Sequence, residues 1–241
     1  MSTFVLVHGS WHDGSACQAV IDQLEAKGHQ AFAPTITGNG KGVNKNVNYA
    51  QCTQSIVDYI VSKDLTDIVL LGHSFGGTII AKVAEAIHDR IRRLIFFNAF
   101  ILNDEESIRD NLTPDSQALL NKLARESDDN TITMPFEIWR EAFLNDADLE
   151  LAQFSYAQLS PEPYQPFIDK LNLKQFYSLS IPKSYLYCTE DTALPQGEWG
   201  WHPRMSSRLG QFRFVQMPGS HEVMFSNPVS LAEKIIVAGR D

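Results

Sequence analysis

No apolar run in the chain approaches the roughly 20 residues that a bilayer-spanning helix needs. Dinucleotide fingerprints, phosphate loops and metal-ligand spacings are absent as well, so no cofactor and no metal is expected. Positive charge is in short supply. Lys and Arg number 20 against 29 Asp and Glu, a net charge of -9. Nucleic acid and anionic membrane surfaces both select a basic face, so neither is expected as a partner. Cysteine is scarce too. Cys17, Cys52 and Cys188 are scattered without CxxC spacing, which excludes a disulfide framework and reads as three small buried hydrophobes. The opening MSTFVLVHGS has neither a basic n-region nor an h-region of signal-peptide length, so it reads as untargeted and a cytoplasmic location is expected.

What is present fits one large globular domain: 241 residues, 44% hydrophobic and 20% charged. Apolar strands are expected at Phe4–Val7, Gln30–Ala33, Ile68–Leu71, Arg93–Phe100, Ser184–Cys188 and Phe212–Met217. Helical spacing alternates with them at Ser15–Lys27, Tyr49–Ser62 and Thr78–Arg90, and the last helix carries Asn227 as N-cap, Pro228 at its first position and Gly239 after its end. Gly28 stops the first helix, and the Gly- and Asn-rich stretch Thr35–Asn48 is a loop. Such alternation predicts an α/β protein with a mostly parallel sheet covered on both faces. The rhythm breaks between Asn103 and Lys183, where helical pieces are expected near Ser116–Arg125, Pro135–Leu144, Leu149–Gln158 and Pro163–Leu171. The division is therefore a core of residues 1–102 and 184–241 with a helical cap, 103–183, inserted over the strand ends, where open α/β sheets bind ligands.

One stretch carries chemistry. In IVLLGHSFGG a buried strand turns into a helix within about two residues, with Ser74 at the corner. Small residues at Gly72, Gly76 and Gly77 suit so tight a turn. Gly72-His73-Ser74-Phe75-Gly76 matches the Gly-x-Ser-x-Gly elbow, whose context of strand and helix is also present. A serine hydroxyl needs a base, and the base needs a carboxylate to orient it. After such an elbow the acid comes next in the chain and the histidine last. His221, in MPGSHEVMF just after the final strand, is favoured as base over His202, which no strand precedes. Asp191, at the end of strand SYLYC, is favoured as acid over its neighbour Glu190 and over Asp104. His8 and His73 sit in turns and read as structural. Oxyanion donors are expected from the backbone N–H of Phe75 and from the loop Val7-His8-Gly9-Ser10.

These stretches together resemble the α/β-hydrolase superfamily, and within it the branch of plant methylesterases, hydroxynitrile lyases and bacterial carboxylesterases. The resemblance rests on FVLVHG, LLGHSFGG, YCTED, LSPEP and GSHEVMF and spans nearly the whole chain. It implies the α/β-hydrolase fold, catalytic roles for Ser74, His221 and Asp191, and an oxyanion hole from the N–H groups of Ser10 and Phe75. Lyases of this branch look for Thr after the first loop's His and Lys after the catalytic His. Here Gly9 and Glu222 stand at those positions, which points to an esterase instead.

Aromatic residues are expected to shape the substrate pocket. Trp11 comes from the first loop, Phe100 and Met224 from strand ends, and Trp139, Phe143 and Phe154 from the cap. With no basic cluster nearby, the expected partner is a small to medium apolar carboxylic ester, aryl esters included. The alternatives carried forward are a hydroxynitrile lyase and a ligand receptor on the same fold. A homodimer is compatible with the sequence, which specifies no oligomeric state.

Overall fold

Side-chain alternation along the strands sets the layers. The computed structural model describes Met1–Asp241. Its first strand, β1 (Thr3–Val7), sends Phe4 and Leu6 to one face and Val5 and Val7 to the other. All four are buried, as required of a strand covered by helices on both sides. The next elements are α1 (Gln18–Ala26), β2 (Gln30–Phe32), α2 (Tyr49–Ser62), β3 (Ile68–His73), α3 (Phe75–Ile87) and β4 (Ile91–Phe97). Then comes the long insertion. It holds α4 (Pro114–Glu126), β5 (Thr131–Ile132), α5 (Phe136–Ile138) continuing into a π-helical turn Trp139–Phe143, α6 (Leu149–Tyr156), β6 (Glu162–Pro163), α7 (Gln165–Ile168) and α8 (Lys174–Ser178). The chain finishes with β7 (Lys183–Cys188), β8 (Arg213–Met217), α9 (Val223–Ser226) and α10 (Pro228–Ala238).

The main sheet has the order β2-β1-β3-β4-β7-β8, with every neighbouring pair parallel. Registers Val7↔Gly72, Gly72↔Phe96 and Cys188↔Met217 line up the C-terminal ends of the strands. The chain leaves β1 toward β2 and returns on its other side as β3, so strand order reverses beside β1, where open sheets leave a crevice. Helices α1 and α10 cover the face bearing Phe4, Leu6, Val69 and Leu71. Helices α2 and α3 cover the other face.

Local signals account for the ends of these helices. Asn48 and Gln51 form a reciprocal capping box that opens α2, and Asn227 caps α10 with Pro228 at its first position. The first helix departs from expectation: a 3-10 turn, Gly14–Cys17, capped by Asp13, precedes α1. Helix α3 begins at Phe75, three residues earlier than its apolar spacing suggests, because the elbow feeds straight into it.

The insertion joins two strands that are sheet neighbours, β4 and β7. Its two-residue antiparallel pair, β5 with β6, has no counterpart in the sequence expectation. Ile132, Trp139 and Phe167 of the insertion share one buried cluster with Val5, Val7 and Leu70 of the sheet. No helix is long and apolar enough to cross a membrane.

Candidate active site

Ser74 lies between β3 and α3 with φ 53° and ψ -116°, in the left-handed half of backbone space that L-residues avoid. The strain turns its side chain out of the sheet and into a cavity. The turn is this tight only because Gly76 lacks a side chain: a Cβ there would stand 2.5 Å from the Val7 carbonyl oxygen and 2.6 Å from that of His8.

The loop after β8 brings His221 to the same cavity. Its Nδ1 is 2.6 Å from Asp191 Oδ2, and both side chains are almost wholly buried. Asp191 Oδ1 accepts the Ala193 N–H at 2.8 Å, so both carboxylate oxygens are engaged. This fixes the imidazole with Nδ1 toward the acid and Nε2 free for chemistry. Burial alone would lower the His221 pKa, but the Asp191 charge and hydrogen bond, helped by Glu222, raise it above the ordinary histidine value. The cap holds this loop in place, since Phe143 O accepts the Glu222 N–H and Asp146 accepts the Ser220 N–H. The ring of Trp201 stacks on the His221 ring at 5.1 Å. No hydrogen bond of 3.5 Å or less joins Ser74 Oγ to His221, and such contacts commonly close only when substrate binds.

The other acids and histidines are engaged otherwise. Glu190 is exposed, and Asp104 accepts the Leu173 N–H at 2.8 Å. His202 pairs with Ser206 and stacks on Phe214, away from the cavity. His73 is neutral, its pKa lowered by burial to about 3, and Nε2 donates to the His221 carbonyl. His8 is lowered by burial to about 4; Nε2 accepts the Ile36 N–H, so Nδ1 carries the proton and donates to Gly9 O. Ligand-type atoms of His73, His221 and Glu222 come within 4.8 Å of one another. His12 already takes Glu222 at 2.9 Å and Asp191 takes His221, so the group works as a hydrogen-bonded network around the imidazole.

Ser10 and Phe75 flank Ser74. The Ser10 N–H donates to no protein group. The Phe75 N–H opens α3, where first-turn donors lack intrahelical partners.

Ser10, Ser74 and His221 open into one cavity of about 240 Å³, with 15 of its 22 lining residues hydrophobic. No Lys, Arg, Asp or Glu lines it. Among the expected pocket aromatics, Trp11, Phe100 and Phe143 line the cavity. Three do not. Trp139 is fully buried in the shared core and spends its indole N–H on Ser155. Phe154, 64% exposed, points out from α6. Met224 packs in the core on the opposite face of the sheet. Sequence reasoning passed over the α4 wall of Leu119, Leu120 and Leu123. Ala124 is the one residue of α4 that is fully buried; Leu120 and Leu123 are half-buried, packing against the core cluster and lining the cavity as well.

A family model described as the alpha/beta hydrolase family matches residues 4–234. The chain belongs to the α/β-hydrolase family. Among solved structures it is similar to an extracellular α/β-hydrolase from a Paenibacillus species, described as sharing structural and functional homology with tobacco salicylic acid binding protein 2. The identity is 47%, the TM-score 0.98, and both chains are covered completely. It is also similar to methylesterase 1 of Arabidopsis thaliana, 25% identical over 95% of this chain and 93% of that protein. The carbendazim hydrolyzing esterase of a Nocardioides species is 35% identical, over 45% of this chain and 46% of its own length. This hydrolase thus sits in the plant methylesterase-like branch, and it is an esterase.

Proposed function

We propose that this esterase hydrolyses neutral, small to medium apolar carboxylic esters, aryl esters included, through an acyl-Ser74 intermediate. The observation that carries this reading is the buried 2.6 Å Asp191–His221 contact on the wall of an apolar cavity that also exposes Ser74 at a strained corner. Ser74 Oγ attacks the ester carbonyl carbon as His221 Nε2 takes its proton. Asp191 holds the tautomer and stabilises the imidazolium. The carbonyl oxygen becomes an oxyanion that receives the N–H groups of Ser10 and Phe75. The intermediate collapses, the C–O bond to the alcohol breaks, and His221 returns the proton to the departing alcohol. Water then gives a proton to His221 and its oxygen to the acyl carbon; the bond from that carbon to Ser74 Oγ breaks, His221 returns the proton to Oγ, and the acid is released.

The cavity lining argues for the substrate class. A surface without charged groups other than the base offers no partner for a phosphate or a second carboxylate. For the lyase alternative, Glu222 matters less as an anion than as a missing cation. It is buried against His12 rather than facing the cavity, so that position supplies no ammonium to a departing cyanide.

The test is turnover of p-nitrophenyl acetate and butyrate by the wild type and by Ser74→Ala. Activity that the substitution abolishes is the expected result. Equal rates in both proteins, or cyanide release from mandelonitrile with no ester turnover, would overturn the proposal. Ligand-induced stabilisation without turnover would transfer the fold to a receptor role.

A further inference from the structure

Trp11 follows Ser10 in the chain and holds φ at +65°, a conformation costly for a large L-residue. Each of its polar groups is tied to the cap. Its N–H donates to Glu162 Oε2 at 2.7 Å, its C=O accepts the Ser160 N–H at 2.9 Å, and its indole N–H donates to Ile132 O at 2.9 Å. Glu162 is the unusual member. It is a fully buried carboxyl group with no cationic hydrogen-bond partner. Its Oε2 also accepts Asn39 Nδ2 at 2.6 Å. Its other oxygen, Oε1, has no partner, and neither does the other half of the same amide, Asn39 Oδ1. Two orphaned acceptors on two groups already joined would cost a good deal if left so. A proton on Oε1 donated to Oδ1 would satisfy both.

We propose that Glu162 is a positioning residue that keeps its proton: Oε1–H donates to Asn39 Oδ1 and closes an acid–amide pair, while Oε2 grips the Trp11 N–H and so sets the loop that presents the Ser10 N–H. The link to Ser10 rests on the esterase reading; the protonation does not. Burial pushes the Glu162 carboxyl up to about 7, against the lowering effect of its bonds to Trp11 and Asn39. The other titratable groups facing it are Lys45, His12 and Cys52. Lys45 donates to the carbonyls of Gly38 and Gly40, His12 is paired with Glu222, and the Cys52 thiol is pushed by burial up to about 12 and is neutral.

Two variants test this. In Glu162→Gln an amide N–H stands where the acid O–H would be, so the pair with Asn39 survives without a titrating proton. In Glu162→Leu the Trp11 N–H and the Asn39 amide lose their partner. Melting temperatures are compared from pH 5 to pH 9, in the Ser74→Ala background so that activity plays no part. An unfolded Glu162 releases its proton near its ordinary value and the folded one near 7, so the contribution of Glu162 to wild-type stability falls as pH rises through that window. The Gln variant lacks this slope, so it should gain on the wild type as pH rises. A Gln variant that loses ground to the wild type at alkaline pH would show a needed carboxylate anion and overturn the protonation. In the Ser74 enzyme, Glu162→Leu should lower kcat for p-nitrophenyl acetate about tenfold or more with little change in KM, and Glu162→Gln should restore it. Unchanged kcat in the Leu variant would remove the positioning role. An inactive wild type would instead count against the esterase reading.

Discussion

At the scale of single residues, the proposed base is an imidazole that two carboxylates, Asp191 and Glu222, surround. Because the Asp191 contact raises the His221 pKa, the neutral base appears only above the ordinary histidine range. kcat/KM for p-nitrophenyl acetate should therefore rise with pH along a limb displaced to the alkaline side of 6.5, and a pH–rate profile reads this directly. In linkage terms the charged His221 contributes stability at low pH that is lost as pH rises through its folded value. Asp191→Asn keeps the shape but not the charge or the tautomer, and should lower kcat by about a thousandfold or more. His8 runs the other way. Its lowered pKa means that its contribution to stability is lost as pH falls from 6.5 toward about 4, so replacing His8 by Gln should make the melting temperature less sensitive to acid across that window.

At the scale of elements, the elbow works because β1, β3 and α3 meet at close range. Gly76→Ala would drive a Cβ into the carbonyls of Val7 and His8 and should destabilise by about 1–3 kcal/mol, visible in urea unfolding, with activity lost as the Ser74 corner shifts. Leu120→Ala, on the α4 wall, should raise KM for p-nitrophenyl butyrate by about fivefold, whereas Phe154→Ser should leave kinetics unchanged. The elbow, the ends of β7 and β8 and the caps of α10 were legible in the sequence because each is written in a few adjacent residues. What failed were judgements of direction. Trp139, Phe154 and Met224 have the right chemistry for a pocket, but whether a helical side chain faces core, ligand or water depends on which neighbour covers it. The bond from Glu162 to Trp11 spans 151 residues, and no local pattern announces it. The β5–β6 pair is two residues per strand and contains Pro163, too little for a strand signal.

At the scale of the molecule, the surface carries the net charge of -9 while the cavity wall, apart from the base, carries none. Turnover of a neutral ester should accordingly change little between low and high salt, which a titration with sodium chloride would read. The acid product does acquire a charge, and it does so in a chamber with no Lys or Arg to hold it. The cluster that unites Ile132, Trp139 and Phe167 with Val7 and Leu70 constrains how molecules come and go. Swinging the insertion away as a rigid flap would tear that cluster open and wet its apolar surface. The expected route is through small rotations of the wall residues, which are fast motions of single side chains. The enzyme then has a doorway but no door. Its turnover should be indifferent to solvent viscosity, its rhythm set by bond making at the proposed nucleophile, Ser74, rather than by opening and closing.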